Sequence, residues 1–209
     1  MLGTKLGKTK RGKTLKAKAG VKAAAVVFLV AAAMVAGSGP AQAADSLNIA
    51  LVNAGSGLRA DVMWASTSTF QGVFLWPTNA SASQRFDLLD RGNGYFRIRA
   101  RHSGQCLTLD WRGGSYVNGT AVVQLPNCYA NYTPQAEWRI EWVWQSDVGS
   151  WYELLRNRAT DKCLDTRNGA GGIPGQQAVL QQWDCLQPIN VTVSQRTHWN
   201  VWNQLWVTG

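Results

Sequence analysis

Histidine is scarce: His102 and His198 are the only two in 209 residues. Zinc sites draw on His and Cys at short spacings, and no such set forms, so no metal is expected. No serine sits in a nucleophile-elbow context, so a Ser-His-Asp catalytic set has no motif to rest on. A glycosidase needs two carboxylates facing one bond, and the two candidate acids, Asp61 and Asp165, belong to different lobes of the chain. No catalytic residue and no cofactor is therefore expected. Helical periodicity is almost missing too, which leaves a β-rich chain. The apolar run Ala23 to Ala36 covers fourteen residues, short of the roughly 20 that span a bilayer as a helix.

Acid is missing from the start of the chain. Residues 1–22 carry Lys5, Lys8, Lys10, Arg11, Lys13, Lys16, Lys18 and Lys22 and no Asp or Glu. The apolar run follows, then Gly37–Ser38–Gly39–Pro40 and Ala41–Gln42–Ala43. A charged region, a short apolar region and an A-x-A site predict a signal peptide over 1–43. No twin arginine is present, which points to the general secretory route. The long basic leader resembles those of Gram-positive actinobacteria, and the protein is expected to be secreted and extracellular. Cleavage removes eight of the 21 basic residues and none of the 12 acids, leaving 13 against 12, a net charge of +1. The high pI of the whole chain therefore gives no reason to expect nucleic acid or an anionic membrane as partner.

What is present is a repeat. The four cysteines are Cys106, Cys128, Cys163 and Cys185, each pair 22 residues apart and the pairs offset by 57. Tyr95, Arg99, Arg101, Leu107 and Gln124 recur at that offset as Tyr152, Arg156, Arg158, Leu164 and Gln181. A fixed register of this kind marks an internal repeat. One disulfide per unit is the parsimonious pairing, though four cysteines allow three connectivities. A third copy without a bridge lies in front, with Arg59 and Thr78 where cysteines would be.

Short β-rich runs alternate with turns across residues 44–209. Phe86–Leu89 and Tyr95–Arg99 flank Arg91–Gly92–Asn93–Gly94, a hairpin pattern. Trp138–Trp144 and Trp151–Leu155 flank a second turn, and Trp138, Ile140, Trp142 and Trp144 alternate as one apolar face. All eleven tryptophans lie beyond the leader. Core filling accounts for most of them, and ligand stacking for a few. Three copies of a unit that cannot bury its own face, closing about an axis, predict a barrel without open edges.

Cys163–Leu164–Asp165, then Gln181–Gln182–Trp183–Asp184–Cys185, then Asn203–Gln204–Leu205–Trp206 resemble the ricin B-chain type lectin repeat, with its closing Q-x-W. Gln84–Arg85–Phe86 is a Q-x-F version, and Trp138 closes the second copy after Ala136. The resemblance implies an all-β fold, a β-trefoil with copies near 49–90, 95–144 and 152–209, and a monomer that binds glycans without catalysis. Galactose-, arabinose- and xylose-type ligands all suit the family.

The resemblance implies one sugar per intact copy, and the residue types fit that chemistry. An indole covers the C–H face of a pyranose, a carboxylate accepts from neighbouring hydroxyls, and amides serve the rest. The third copy has the whole set: Asp165, Gln181, Trp183, Asn203 and Gln204. The first keeps Asp61, Trp76 and Gln84, with Phe74 at the glutamine position and Ser83 at the asparagine position. The second has Thr108 and Pro126 at the aspartate and tryptophan positions and is expected to be inactive, unless Asp110 and Trp111 supply a substitute. Trp138 and Trp206 are expected in the core. An insertion near 189–201 leaves Trp199 and Trp206 as rivals for the third signature tryptophan. A secreted β-trefoil inhibitor of a protease or other hydrolase, acting through that insertion, is the alternative function.

Overall fold

The computed structural model describes residues 45–126, 128–129, 133–145, 148–167, 173–185 and 202–209. The leader, His198, Trp199 and the insertion near 189–201 lie outside these. Thirteen strands run in chain order: β1 Ser46–Ile49, β2 Leu51–Asn53, β3 Arg59–Val62, β4 Val73–Trp76, β5 Phe86–Gly92, β6 Tyr95–Ala100, β7 Cys106–Leu109, β8 Val122–Leu125, β9 Trp138–Gln145, β10 Ser150–Asn157, β11 Cys163–Thr166, β12 Leu180–Trp183 and β13 Trp206–Thr208. Among the described residues the only helical pieces are four three-residue 3-10 turns.

Local chemistry sets the hairpins. Between β5 and β6, Asn93 and Gly94 both take positive φ, 55° and 77°, which a two-residue turn matched to strand twist requires and which Asn-Gly tolerates. Strands β5, β6, β9, β10 and β13 pair in that order, and β2 follows β13. The ring closes through β1, which pairs with β5 while β2 pairs with β13. At the joint Ala50 N donates to Gly209 O at 2.6 Å, and Gly209 N returns to Ala50 O at 3.2 Å. The remaining strands form three hairpins, β3–β4, β7–β8 and β11–β12. They meet one another through the bridges Gly72–Val123, Phe74–Val179 and Ala121–Gln181. Six barrel strands, with the consecutive β1 and β2 counted as one, closed by three mutually contacting hairpins make a β-trefoil, as the resemblance implied.

One core joins the copies. Leu51, Phe86, Ile98, Trp138, Leu155 and Trp206 come from the barrel, and Leu75, Leu107, Val122, Leu164 and Leu180 from the hairpins. Trp138 and Trp206 are fully buried. The Trp138 indole N–H donates to Leu107 O at 3.3 Å, and that of Trp206 to Leu164 O at 3.2 Å. Matching bonds make Trp206 the counterpart of Trp138, and an indole buried without such a partner would lose a hydrogen bond. Truncating either to alanine costs about 3–5 kcal/mol. The alternating face of β9 splits: Trp138 is buried and Ile140 packs on the core, while Trp142 and Trp144 are exposed.

The cysteines pair within copies, Cys106 with Cys128 and Cys163 with Cys185. The strand register corrects one detail of the sequence alignment. Cys106 faces Leu125, and Cys163 faces Trp183. Leu125, not Pro126, therefore stands at the tryptophan position, and Val123, not Gln124, at the place of Gln181. Gln124 matches Gln182 instead. The connection from β11 to β12 is one residue longer than that from β7 to β8, so a constant offset misreads everything past it.

Candidate functional site

In the third lobe β11 carries Asp165 directly opposite Gln181 of β12. Trp183 lies two residues on and so shares the face of Gln181. The chain returns at 202–204, where Thr166 donates to Asn203 O through its backbone N at 3.1 Å and its hydroxyl at 3.3 Å. That anchor delivers two more amides. Asp165 Oδ1 accepts from Gln181 Nε2 at 2.7 Å, and Oδ2 accepts from Asn203 Nδ2 at 2.8 Å and Gln204 Nε2 at 3.1 Å. Gln204 also donates to Asp184 O at 3.0 Å, which ties it to the end of the hairpin.

Asp165 is 2% exposed, whereas the neighbouring Trp183 is 41% exposed. Burial pushes the Asp165 carboxyl up to about 6, against the downward pull of the Gln181 and Gln204 donors. Asn203 Oδ1 is buried and accepts no bond among the described residues. All five residues of the third-lobe set are thus brought to one place. They form a carboxylate oriented by amides beside an open indole face.

Other contributors had no signal in the repeat. Arg167 Nε donates to Gln181 Oε1 at 3.3 Å. Asn118, from the second copy, donates to Asp184 Oδ2 at 2.8 Å and accepts from Asp184 N at 3.0 Å. Lys162 pairs with the other oxygen of Asp184. The adjoining Gly119 takes φ +87°, and a Cβ there would lie 3.8 Å from Gln181 Oε1 and 3.9 Å from Trp183 Cζ3. Asn118 and Gly119 sit far from the third copy in sequence, so only their residue types hinted at a loop, whereas Arg167 lies two residues past Asp165.

The first lobe is built differently. Asp61 is 4% exposed, and its Oδ2 accepts from Gln84 Nε2 at 2.9 Å. Gln84 is pinned by Pro77 O at 2.8 Å and by the N–H of Asn79 at 3.2 Å. Phe74 stands opposite Asp61. Trp76 is half-buried, and Trp64, which the sequence reading passed over, is 76% exposed.

The second lobe lacks the polar set. Thr108 faces Val123, and its buried hydroxyl has no partner among the described residues. Arg112 holds both Asp110 oxygens, Nε on Oδ1 at 2.9 Å and Nη2 on Oδ2 at 2.6 Å, while Trp111 packs edge-on against Phe70 at 5.6 Å.

Residues 41–125 match the family model for ricin-type beta-trefoil lectin domain-like sequences. Over that stretch the chain is similar to ricin-type β-trefoil lectin-like domains, and the trefoil fold agrees with the match. Among solved structures the chain is similar to the designed three-fold symmetric protein ThreeFoil, with a TM-score of 0.58 and 28% identity, over 77% of this chain and 96% of that one. It is also similar to an exo-β-1,3-galactanase from Clostridium thermocellum, with a TM-score of 0.56 and 25% identity, over 78% of this chain but only 30% of the enzyme. The C-half of an earthworm R-type lectin, solved with GalNAc, shares the fold at a TM-score of 0.50 and 11% identity, over 78% of this chain and 98% of that one. No curated protein matches the chain. The family match supports a carbohydrate-binding role.

Proposed function

We propose that this protein is a secreted, non-catalytic glycan-binding protein whose third lobe, and also its first, holds a sugar. The observation that carries the reading is Asp165, buried and oriented by three side-chain amides beside the exposed face of Trp183. A pyranose on that indole would present hydroxyls to the carboxylate and to the amides of Gln181 and Asn203. Gln204 would position Asp165. In the first lobe Asp61, Trp76 and Gln84 take the corresponding roles.

Each pocket is built from few groups, so single-site affinity is weak and two lobes on one ligand add avidity. Among the described residues neither lobe pairs two carboxylates across one bond, which favours binding without turnover. The earthworm lectin half was solved with GalNAc, which makes galactose-type glycans the first to test, with arabinose- and xylose-type polysaccharides beside them. Two disulfides fit an oxidising, extracellular setting, in agreement with the leader, and a monomer suffices for both lobes.

The test is a glycan and polysaccharide screen on the mature protein and on Trp183→Ala. That indole is exposed, so its removal should leave the fold intact. Because the first lobe can still bind, the readout is affinity: unchanged affinity for every glycan in the variant defeats the third-lobe assignment, and no glycan bound by the parent defeats the reading as a whole.

A further inference from the structure

The first and third lobes differ at the strand position that faces the carboxylate. In the third, Gln181 donates to Asp165 Oδ1 at 2.7 Å. In the first, Phe74 stands at that place, and a benzyl group donates nothing. Asp61 Oδ2 holds Gln84, while Oδ1 accepts no hydrogen bond among the described residues. A carboxylate oxygen left open on a side chain this well buried is a ready acceptor for a ligand donor.

The side chain opposite Asp61 belongs to an aromatic cluster. The Phe74 ring lies 5.3 Å from Trp76, tilted by 50°, and 5.8 Å from Trp64, tilted by 42°. Trp64 takes φ 62°, a region that bulky L-residues enter only where the surrounding structure holds them. Here the second copy holds them. Gln124 Nε2 donates to the carbonyls of Ser66 and Ser68, both at 2.8 Å, His102 Nε2 bonds Ser66 O at 2.9 Å, and Gln105 Nε2 donates to Thr67 O. A lobe without a polar set of its own thus fixes the loop that sets an exposed indole against Phe74 of its neighbour.

We propose that the first lobe selects a methyl-bearing pyranose, either a 6-deoxyhexose or a 2-acetamido sugar, while the third takes plain hydroxylated sugars; this rests on the glycan-binding reading above. One ligand hydroxyl donates to Asp61 Oδ1, and the methyl group enters the cup of Trp64, Phe74 and Trp76. A hydroxyl pressed against Phe74 would lose its water and gain no partner, whereas a methyl loses nothing. In the third lobe the Gln181 amide serves a hydroxyl at the same place. Phe74 and Trp64 are specificity-determining residues on this account.

The experiment is calorimetric titration of Trp183→Ala, which silences stacking in the third lobe, with methyl glycosides of fucose, N-acetylgalactosamine and galactose. The expected result is at least tenfold tighter binding of one or both methyl-bearing sugars than of galactose. The fucose and N-acetyl arms show which source supplies the methyl. Adding Phe74→Gln should reduce that preference at least tenfold. Phe74 is nearly buried and its replacement tests folding too, so Trp64→Ala serves as the second variant and should weaken the methyl-bearing sugars alone. Equal binding of all three sugars, or a preference unmoved by Trp64→Ala, overturns the proposal. So does loss of all binding in Trp183→Ala when the parent binds, an outcome that leaves the third lobe standing as a lectin site. A parent that binds no sugar removes the broader reading first.

Discussion

The side-chain amide of Gln182 donates to the Val117 carbonyl at 3.0 Å, reaching from the third copy into the loop of the second. Its counterpart Gln124 reaches from the second copy into the first, to Ser66 and Ser68. Both carbonyl oxygens of these glutamines accept a hydroxyl from their own copy, Ser103 at 2.7 Å for Gln124 and Thr160 at 2.7 Å for Gln182. The copies are therefore linked by polar bonds as well as by a shared core.

Gln124→Leu should lower stability by about 1–3 kcal/mol, because the substitution removes three hydrogen bonds that the buried amide makes to Ser66, Ser68 and Ser103. Chemical denaturation measures this. Ligand binding by the first lobe should fall along with it, since the loop carrying Trp64 loses two of its anchors.

Thr108→Val should have the opposite sign. The two side chains have nearly the same shape, and the Thr108 hydroxyl is buried without a partner among the described residues. Replacing it should stabilise the protein by about 1 kcal/mol, near the cost of an unsatisfied buried group. Thermal melting of the variant beside the parent checks the direction, and a lower midpoint would mean the hydroxyl is satisfied in solution.

Opening the Cys163–Cys185 bridge, for instance as a double serine variant, should cost about 3 kcal/mol by loop entropy for a separation of 22 residues. The expected pattern is a lower denaturation midpoint and weaker binding at the third lobe, because that bridge ties β11 to the segment just beyond Trp183. The Cys106–Cys128 bridge should cost a similar amount of stability and leave third-lobe binding unchanged.

Acid should act on Asp165 in two directions. Burial holds its folded pKa at about 6, above an ordinary value of 3.8. The folded protein then binds more protons than the unfolded chain between those values. The stability that this group contributes is present below about pH 4 and is lost as pH rises through about 6. Ligand binding should run the other way, because a protonated carboxyl accepts fewer hydroxyls than a carboxylate. Third-lobe affinity should drop as pH falls through about 6, followed by titration calorimetry across that window.

Glu137 shows the contrary sign. Burial works to raise its pKa, but hydrogen bonds and charge from Arg97 and Arg158 outweigh it and hold the carboxyl below 4.5. Its contribution to stability is present above about pH 4.5 and lost as pH falls further. Glu137→Gln should therefore flatten the acid side of the stability profile, measured by denaturation at several pH values.

Much of this was legible in the residues. The cysteine spacing announced the repeat, and the repeat announced closure about an axis. Asp165, Gln181, Trp183, Asn203 and Gln204 were legible as a set through the resemblance to the ricin B-chain type repeat, and hydrogen bonds join four of them in the structure. The register past each hairpin loop was not legible, since one extra residue between β11 and β12 shifts every later match and a constant offset conceals it. Trp64 was missed because its value depends on a left-handed backbone held by side chains of another copy. The apolar face of β9 was half right, because strand alternation tells which residues share a side but not how far the core extends along it.

By itself the sequence determined the strand pattern, which depends on neighbours within a few positions, and the repeat with the residue types at each lobe, which show as a fixed offset along the chain. Only the tertiary structure decided which oxygen of each aspartate is occupied, which loop is clamped and which indole is open. Those properties come from hydrogen bonds and burial between residues dozens of positions apart, and local composition carries no trace of them.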